Sequence, residues 1–157
     1  MKDLTLLFLL REGEVLLAMK KRGWGQGRWN GVGGKVEPGE SIEAAASREC
    51  QEEIGVTPLQ FTKQAIHIFH FPEHDGVEPM KVHVFVCRKW HGEPKESEEM
   101  KPAWFKHSAV PYTDMWPDDM YWLPMLLNDF AVTAEFTFDK NDQIIKMSLE
   151  RHERLAA

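Results

Sequence analysis

Residues 33–56 leave the backbone little choice. Gly33-Gly34 and Pro38-Gly39 are turn signals, so this stretch opens as a loop. Ser41 is a good helix N-cap, and Glu43 falls in the first turn, where the helix dipole favours an acid. Ala44 to Ala46 are strong helix formers, and Gly55 stops the helix by adopting a left-handed conformation. The pattern predicts a helix over 42–54. Its placement of acids is the unusual part. Glu49 and Glu53 lie one turn apart on one face with Glu52 beside them, while Ala46, Cys50 and Ile54 form an apolar stripe that can anchor the helix to a core. Three carboxylates on one patch repel one another, and only Arg48 stands near enough to relieve them. A solvated acidic face is the ordinary reading of such a run. Crowded hard oxygens also suit a divalent cation such as Mg²⁺, with the carbonyls of Gly33 and Gly34 as further ligands.

At 157 residues the chain suits one domain, spanning residues 1–157, with a core of its own. The formal net charge of −6 argues against a nucleic-acid-binding surface, which is normally basic. An acidic protein that handles a polyphosphate must neutralise charge locally, through metals and a few placed cations. The two cysteines, Cys50 and Cys87, fall in predicted helix and strand. A bond between them stays open, but no secreted disulfide framework is visible, which points to a reducing compartment such as the cytoplasm. The apolar run Leu4–Leu10 is too short to span a membrane, and no small-residue cleavage site follows it.

The remaining segments read mostly as strands. Leu4–Leu10 and Glu14–Lys21 form a hairpin across Arg11-Glu12-Gly13, and Arg28–Val32 is a short strand after the flexible loop Gly23–Gly27. Gln64–Phe71, Val82–Trp90 and Pro102–Lys106 are further strands, and Phe130–Phe138 with Gln143–Leu149 make a closing hairpin around residues 139–142. Pro117–Asn128 reads as a helix that buries Trp122, Leu123, Leu126 and Leu127. Strands interleaved with two helices predict an α/β fold, a mixed sheet sandwiched by helices. His67, His70 and His74 match no tight metal spacing and default to strand and loop positions. The acidic segment Glu96–Glu99 reads as a solvated turn.

A second cluster can bind a flat ring. Trp116 can stack on a purine face, Phe69 or Trp24 can close the other side, and the Asn30 amide offers both a donor and an acceptor. Asp118 and Asp119 are adjacent, and if both are buried they cannot both ionise comfortably, so one stays protonated. Acids at a helix start are also common as caps, which is the alternative reading of this pair.

Gly34, Glu40, Arg48-Glu49, Glu52-Glu53 and Gly55, at these spacings, resemble the Nudix box, and every fixed position of that pattern is met. Nudix proteins mostly hydrolyse a nucleoside diphosphate linked to another group, using Mg²⁺ or Mn²⁺ held by the box helix. The segments Met19–Gly23, Gly27–Gly31, Val82–Phe85 and Asp114–Asp119 followed by Tyr121-Trp122 are similar to the animal-type MutT branch of that family. That branch cleaves oxidised purine nucleoside triphosphates, of the 8-oxo-dGTP and 2-hydroxy-dATP class, to monophosphate and pyrophosphate.

The resemblance implies a Nudix fold and a set of roles. Gly34, Glu49, Glu52, Glu53 and Glu99 would hold the metal, and Glu52 or Glu53 would activate water. Lys20 would face phosphate, and Glu40 with Arg48 would brace the loop. Thr5, Trp24, Asn30, Phe69, Met80, Trp116, Asp118 and Asp119 would form the base and sugar pocket. It also implies a monomer acting on a small-molecule nucleotide, with neither nucleic acid nor membrane as partner, that sanitises the nucleotide pool and so prevents mutation. Other Nudix pyrophosphatases, and non-catalytic nucleotide-binding Nudix modules, are the alternatives. Trp24 stands where the family usually has phenylalanine, Val32 replaces another aromatic, and residues 72–79 make a longer connection, all of which bear on base preference.

Overall fold

The computed structural model describes residues 1–155. Eight strands and two α-helices follow one another as β1 (Lys2–Arg11), β2 (Glu14–Lys20), β3 (Trp29–Asn30), α1 (Ile42–Ile54), β4 (Thr57–His70), β5 (Met80–His91), β6 (Met100–Lys106), α2 (Asp119–Leu127), β7 (Ala131–Phe138) and β8 (Ile144–His152). The strand order is β3-β2-β1-β5-β4-β7-β8, and β6 pairs with β2. β1 runs parallel to β5 and β4 parallel to β7, while the hairpin partners are antiparallel, so the sheet is mixed.

The apolar run of β1 shows why both faces of the sheet are covered. Leu7 and Leu9 point to one side, where they pack with Phe85, Cys50 and Ile54 under α1. Phe8 and Leu10 point to the other, where they pack with Val84, Trp122 and Leu126 under α2. A strand buried on both faces reads as a continuous hydrophobic stretch, not as an alternation. The predicted sandwich is therefore the observed architecture. Cys50 and Cys87 are buried in one cluster as free thiols.

Several boundaries differ from the sequence reading, and three of them bear on how the elements are held. β4 begins at Thr57, not Gln64, because its first half is carried by pairing to β5 through three register shifts that hide its periodicity. β5 begins at Met80, paired parallel with Lys2. α2 begins at Asp119, not Pro117, and it carries Pro124 in its interior, where the ring removes one N–H from the helix ladder.

Candidate active site

The phase of α1 sets its acids. The Ser41 hydroxyl accepts from Ala44 N–H at 3.1 Å, and Gly55 closes the helix with φ 72°. With Ala46, Cys50 and Ile54 buried in the core, Glu53 is turned inward and is only 5% exposed. Its Oε1 accepts from Gly33 N–H at 2.7 Å. The loop comes so close that a Cβ on Gly34 would stand 2.5 Å from Glu49 Oε1, and a Cβ on Gly33 would overlap the Thr5 carbonyl. Gly33 is thus required by contact with backbone, whereas a side chain at Gly34 would displace the Glu49 carboxylate. The Gly34 carbonyl accepts from Thr5 N–H at 2.8 Å, which ties the loop to β1.

Arg48 organises the outer side. Its Nε and Nη2 donate to the two oxygens of Glu40 at 2.7 and 3.0 Å, and Nη2 also reaches the Lys35 carbonyl at 3.0 Å. Nη1 reaches Glu49 at 3.1 Å and Glu52 at 3.2 Å. The expected Glu40–Arg48 brace is present, and the guanidinium pulls the Glu40 carboxyl down to about 2. Glu53 behaves oppositely. Burial, with the charges of Glu49 and Glu99 behind it, pushes its pKa up to about 8. Glu49 is also raised, mainly by burial. Glu99 sits on the loop after β5, where Arg22 holds it at 3.3 Å and Lys21 N–H bonds its carbonyl at 2.8 Å.

Among the described residues, no three acid, histidine or cysteine side chains already surround one point at ligand distance. The cage expected from sequence is therefore not closed: Arg48 lies between Glu49 and Glu52, and Glu99 leans to Arg22. The donor set still fits a hard divalent cation. It offers carboxylate oxygens and a glycine carbonyl, and it includes a buried acid whose charge only a cation would make comfortable.

One cavity runs from this loop to the C-terminal part of the chain. Thr5, Lys20, Gly33 and Gly34 are in its lining, together with Asn30, Phe69 and Met80. Trp24, Trp116, Asp118 and Asp119 also line it, so all eight residues expected to bind base and sugar meet there, together with Lys20. Asp118 and Asp119 are 3% and 2% exposed. The Asp118 carboxylate accepts from Trp122 Nε1 at 2.8 Å and makes no side-chain capping bond, so the capping reading of this pair fails. Burial lifts Asp118 to about 6. Asp119 is lifted well above the usual carboxylate range, by burial and then by the neighbouring charge of Asp118. Among the described residues Asp119 Oδ2 has no hydrogen-bond partner.

Two details differ from expectation. Asn30 Oδ1 already accepts from Gly31 N–H at 2.9 Å, which leaves the amide NH₂ as its free donor. Trp24 stands edge-on to Trp116, with ring centroids 5.4 Å apart and planes at 79°, so it closes the mouth of the slot and does not form a parallel second wall. Phe69 stacks on Phe136 at 5.7 Å instead. Sequence reasoning missed Phe71, Phe138, Trp122, Arg28 and His67, all in the lining. The two-residue spacing of His67, Phe69 and Phe71, along β4 and one residue past its end, was the signal for two of them, His67 and Phe71. Arg28 lies with Cζ 4.0 Å over the Trp116 ring and its Nη1 3.4 Å from Asp142 Oδ2, which braces the platform from one face. The three histidines do not assemble: His70 bonds Glu135 at 2.7 Å, and His74 lies 3.5 Å from Asp142.

The comparisons agree with this geometry. The NUDIX domain model matches residues 3–126. A Mus musculus protein named oxidized purine nucleoside triphosphate hydrolase is 46% identical over 145 residues, covering 92% of each chain. A Danio rerio protein of the same name is 44% identical over 154 residues, covering 98% of this chain and 97% of the relative. Among solved structures, a MutT protein from Bacillus halodurans superposes with a TM-score of 0.84 at 27% identity, covering 96% of this chain and 98% of its own.

Proposed function

Because this chain belongs to the Nudix family, we propose that it hydrolyses oxidised purine nucleoside triphosphates to the monophosphate and pyrophosphate, and so clears them from the nucleotide pool. The names of the mouse and zebrafish relatives support that substrate class. The observation that carries the reading is one cavity whose lining includes both the Gly33-Gly34 loop, which touches Glu53 and Glu49, and a slot with Trp116 and two buried aspartates.

Nudix hydrolases need a divalent metal, and here Glu49, Glu52, Glu53, Glu99 and the Gly34 carbonyl would hold Mg²⁺ or Mn²⁺. When bound, such an ion neutralises phosphate charge and makes a water more acidic. The chain's own residues do the rest. Lys20 lines the cavity close enough to Glu53 for its charge to act there, and it offers a cation to the triphosphate. Glu53 is pinned by Gly33 N–H, and a bound cation would favour its carboxylate form, which could then take the proton of the attacking water. Glu52 faces solvent against Arg48 and is the second candidate for that role. The water adds to phosphorus as the bond to the departing group breaks. In the same cavity Trp116 stacks on the base. Asp119, holding its proton, donates, and Asn30 donates through its NH₂.

We place the enzyme as a monomer in the cytoplasm, with free nucleotides as its substrates and without nucleic acid or membrane as partner. Its two free buried thiols favour a reducing compartment. Among the described residues no helix is long and apolar enough to cross a membrane.

The test is kcat/KM, read as pyrophosphate or monophosphate release with Mg²⁺, for 8-oxo-dGTP, 2-hydroxy-dATP, dGTP, dATP and ADP-ribose. The oxidised purines are expected to lead by tenfold or more, on the order of one buried hydrogen bond. Equal rates for the ordinary purines, or a preference for ADP-ribose, would overturn the reading.

A further inference from the structure

His67 lines the cavity beside Trp122, yet the mechanism gives it no task. It lies on β4, two residues before Phe69, and is fully buried at 0% exposure. Its ring packs against Trp122 with centroids 4.4 Å apart and against Phe69 and Phe136 at 6.0 Å. Among the described residues neither Nδ1 nor Nε2 has a hydrogen-bond partner. Burial drives its pKa down to about 3, against an upward pull from the Ile66 backbone that does not reach hydrogen-bond geometry. The ring is therefore neutral at physiological pH and carries one N–H donor and one bare acceptor.

A leucine or isoleucine would fill this place without an unsatisfied polar group, so the imidazole costs stability where it stands. Two other side-chain atoms around the cavity share its condition: Thr5 Oγ1 and Asp119 Oδ2 are also buried without partners. The three come from β1, β4 and α2, and the apolar rings of Phe69, Trp122 and Phe138 share the lining with them. Unpaired polar atoms gathered around an otherwise apolar slot match a ligand that is flat and apolar on its faces and polar at its edge.

We propose that His67 is a specificity-determining residue of this pocket, whose neutral imidazole hydrogen-bonds the polar edge of the bound purine, directly or through one ordered water. The proposal rests on the functional reading above. A purely structural His67 would only pack beneath Trp122, whose indole N–H holds Asp118.

Three variants separate these roles: His67→Leu, which keeps the bulk and removes both polar atoms, His67→Met as a second apolar replacement, and His67→Gln, which restores a donor and an acceptor. Each is compared with the wild type by ligand-free melting temperature and by kcat and KM for 8-oxo-dGTP, 2-hydroxy-dATP, dGTP and dATP. In H67L the melting temperature is expected to rise. The kcat/KM ratio of the best oxidised purine to its ordinary counterpart should fall about tenfold, through KM, with kcat within about threefold. H67Q should regain part of the lost ratio. If H67L does not fold, the same ratio is read on H67M. Unchanged ratios in the apolar variants, beside a wild type that discriminates, overturn the proposal and leave the functional reading standing. A wild type without preference among the four purines overturns the functional reading and the proposal together.

Discussion

Asp118 and Asp119 are buried carboxylates that this fold does not easily leave charged. For Asp118 the ordinary value is 3.8 and the folded value about 6. Between those pH values the unfolded chain releases a proton that the folded chain keeps, so folding stability falls as pH rises through the window. Asp118→Asn removes that titration while its amide oxygen can still accept from Trp122. The variant should gain stability over the wild type steadily from about pH 4 through pH 6. Urea denaturation at a series of pH values reads the gap, and a gap that does not change with pH would refute it. Glu53 makes a different kind of test. Glu53→Gln keeps an acceptor for Gly33 N–H but cannot take a proton, so turnover should drop about 10²–10⁴-fold while a non-hydrolysed triphosphate analogue binds within a few-fold of wild type. Turnover near wild type would move the task to Glu52. Residue types and spacing were enough to single out these acids. They did not show that the Asp118 carboxylate would turn away from the helix backbone toward Trp122, because that choice depends on a ring four residues on and on burial from the sheet.

The β7–β8 hairpin does more than close the sheet. Its Asp142 adopts φ 60° and meets Arg28, whose guanidinium covers one face of Trp116. A change at Asp142 should thus be felt at Trp116, the ring to which we assign the base. Asp142→Asn tolerates the left-handed backbone but weakens the hold on Arg28. KM should rise severalfold with kcat within about twofold, and the melting temperature should shift by no more than the equivalent of about 1 kcal/mol. Steady-state kinetics beside a thermal melt checks both, and an unchanged KM would show that Trp116 needs no such brace. Helix α1 was readable residue by residue because its stops are local: Ser41, the alanines and Gly55 act within a turn of themselves. The first half of β4 was not, since Pro58, Gln60 and three register shifts break the alternation, and only its partner β5 makes it a strand. Pro124 within α2 was equally invisible to local rules, because burial of Trp122, Leu123 and Leu126 outweighs the lost backbone bond.

Two cores, one on each side of a mixed sheet, hold the acidic helix and the base slot at fixed separation. The crossing of α1 and α2 to opposite faces follows from strand runs apolar on both sides, and those were visible in the sequence. The strand order was not, because β1 meets β5 and β4 meets β7 only through long crossovers. A chain of net charge −6 that gathers Glu49, Glu53 and Glu99 within reach of one another carries self-repulsion that a divalent ion would relieve. At a Mg²⁺ concentration about 100 times its dissociation constant, the stabilisation would be about 2.7 kcal/mol, or on the order of 5–10 °C in melting temperature. Chelation should return the melt to its starting point, and a melt indifferent to Mg²⁺ and Mn²⁺ alike would dismiss this ligand set. Thr5 has two allegiances: it lines the cavity to which we assign the nucleobase, and its amide grips the Gly34 carbonyl beside the acids. Evolution, or an engineer, retuning which base is accepted through position 5 therefore also tugs on the loop beside the bond to be broken. Appetite and turnover are inherited as one trait at that position.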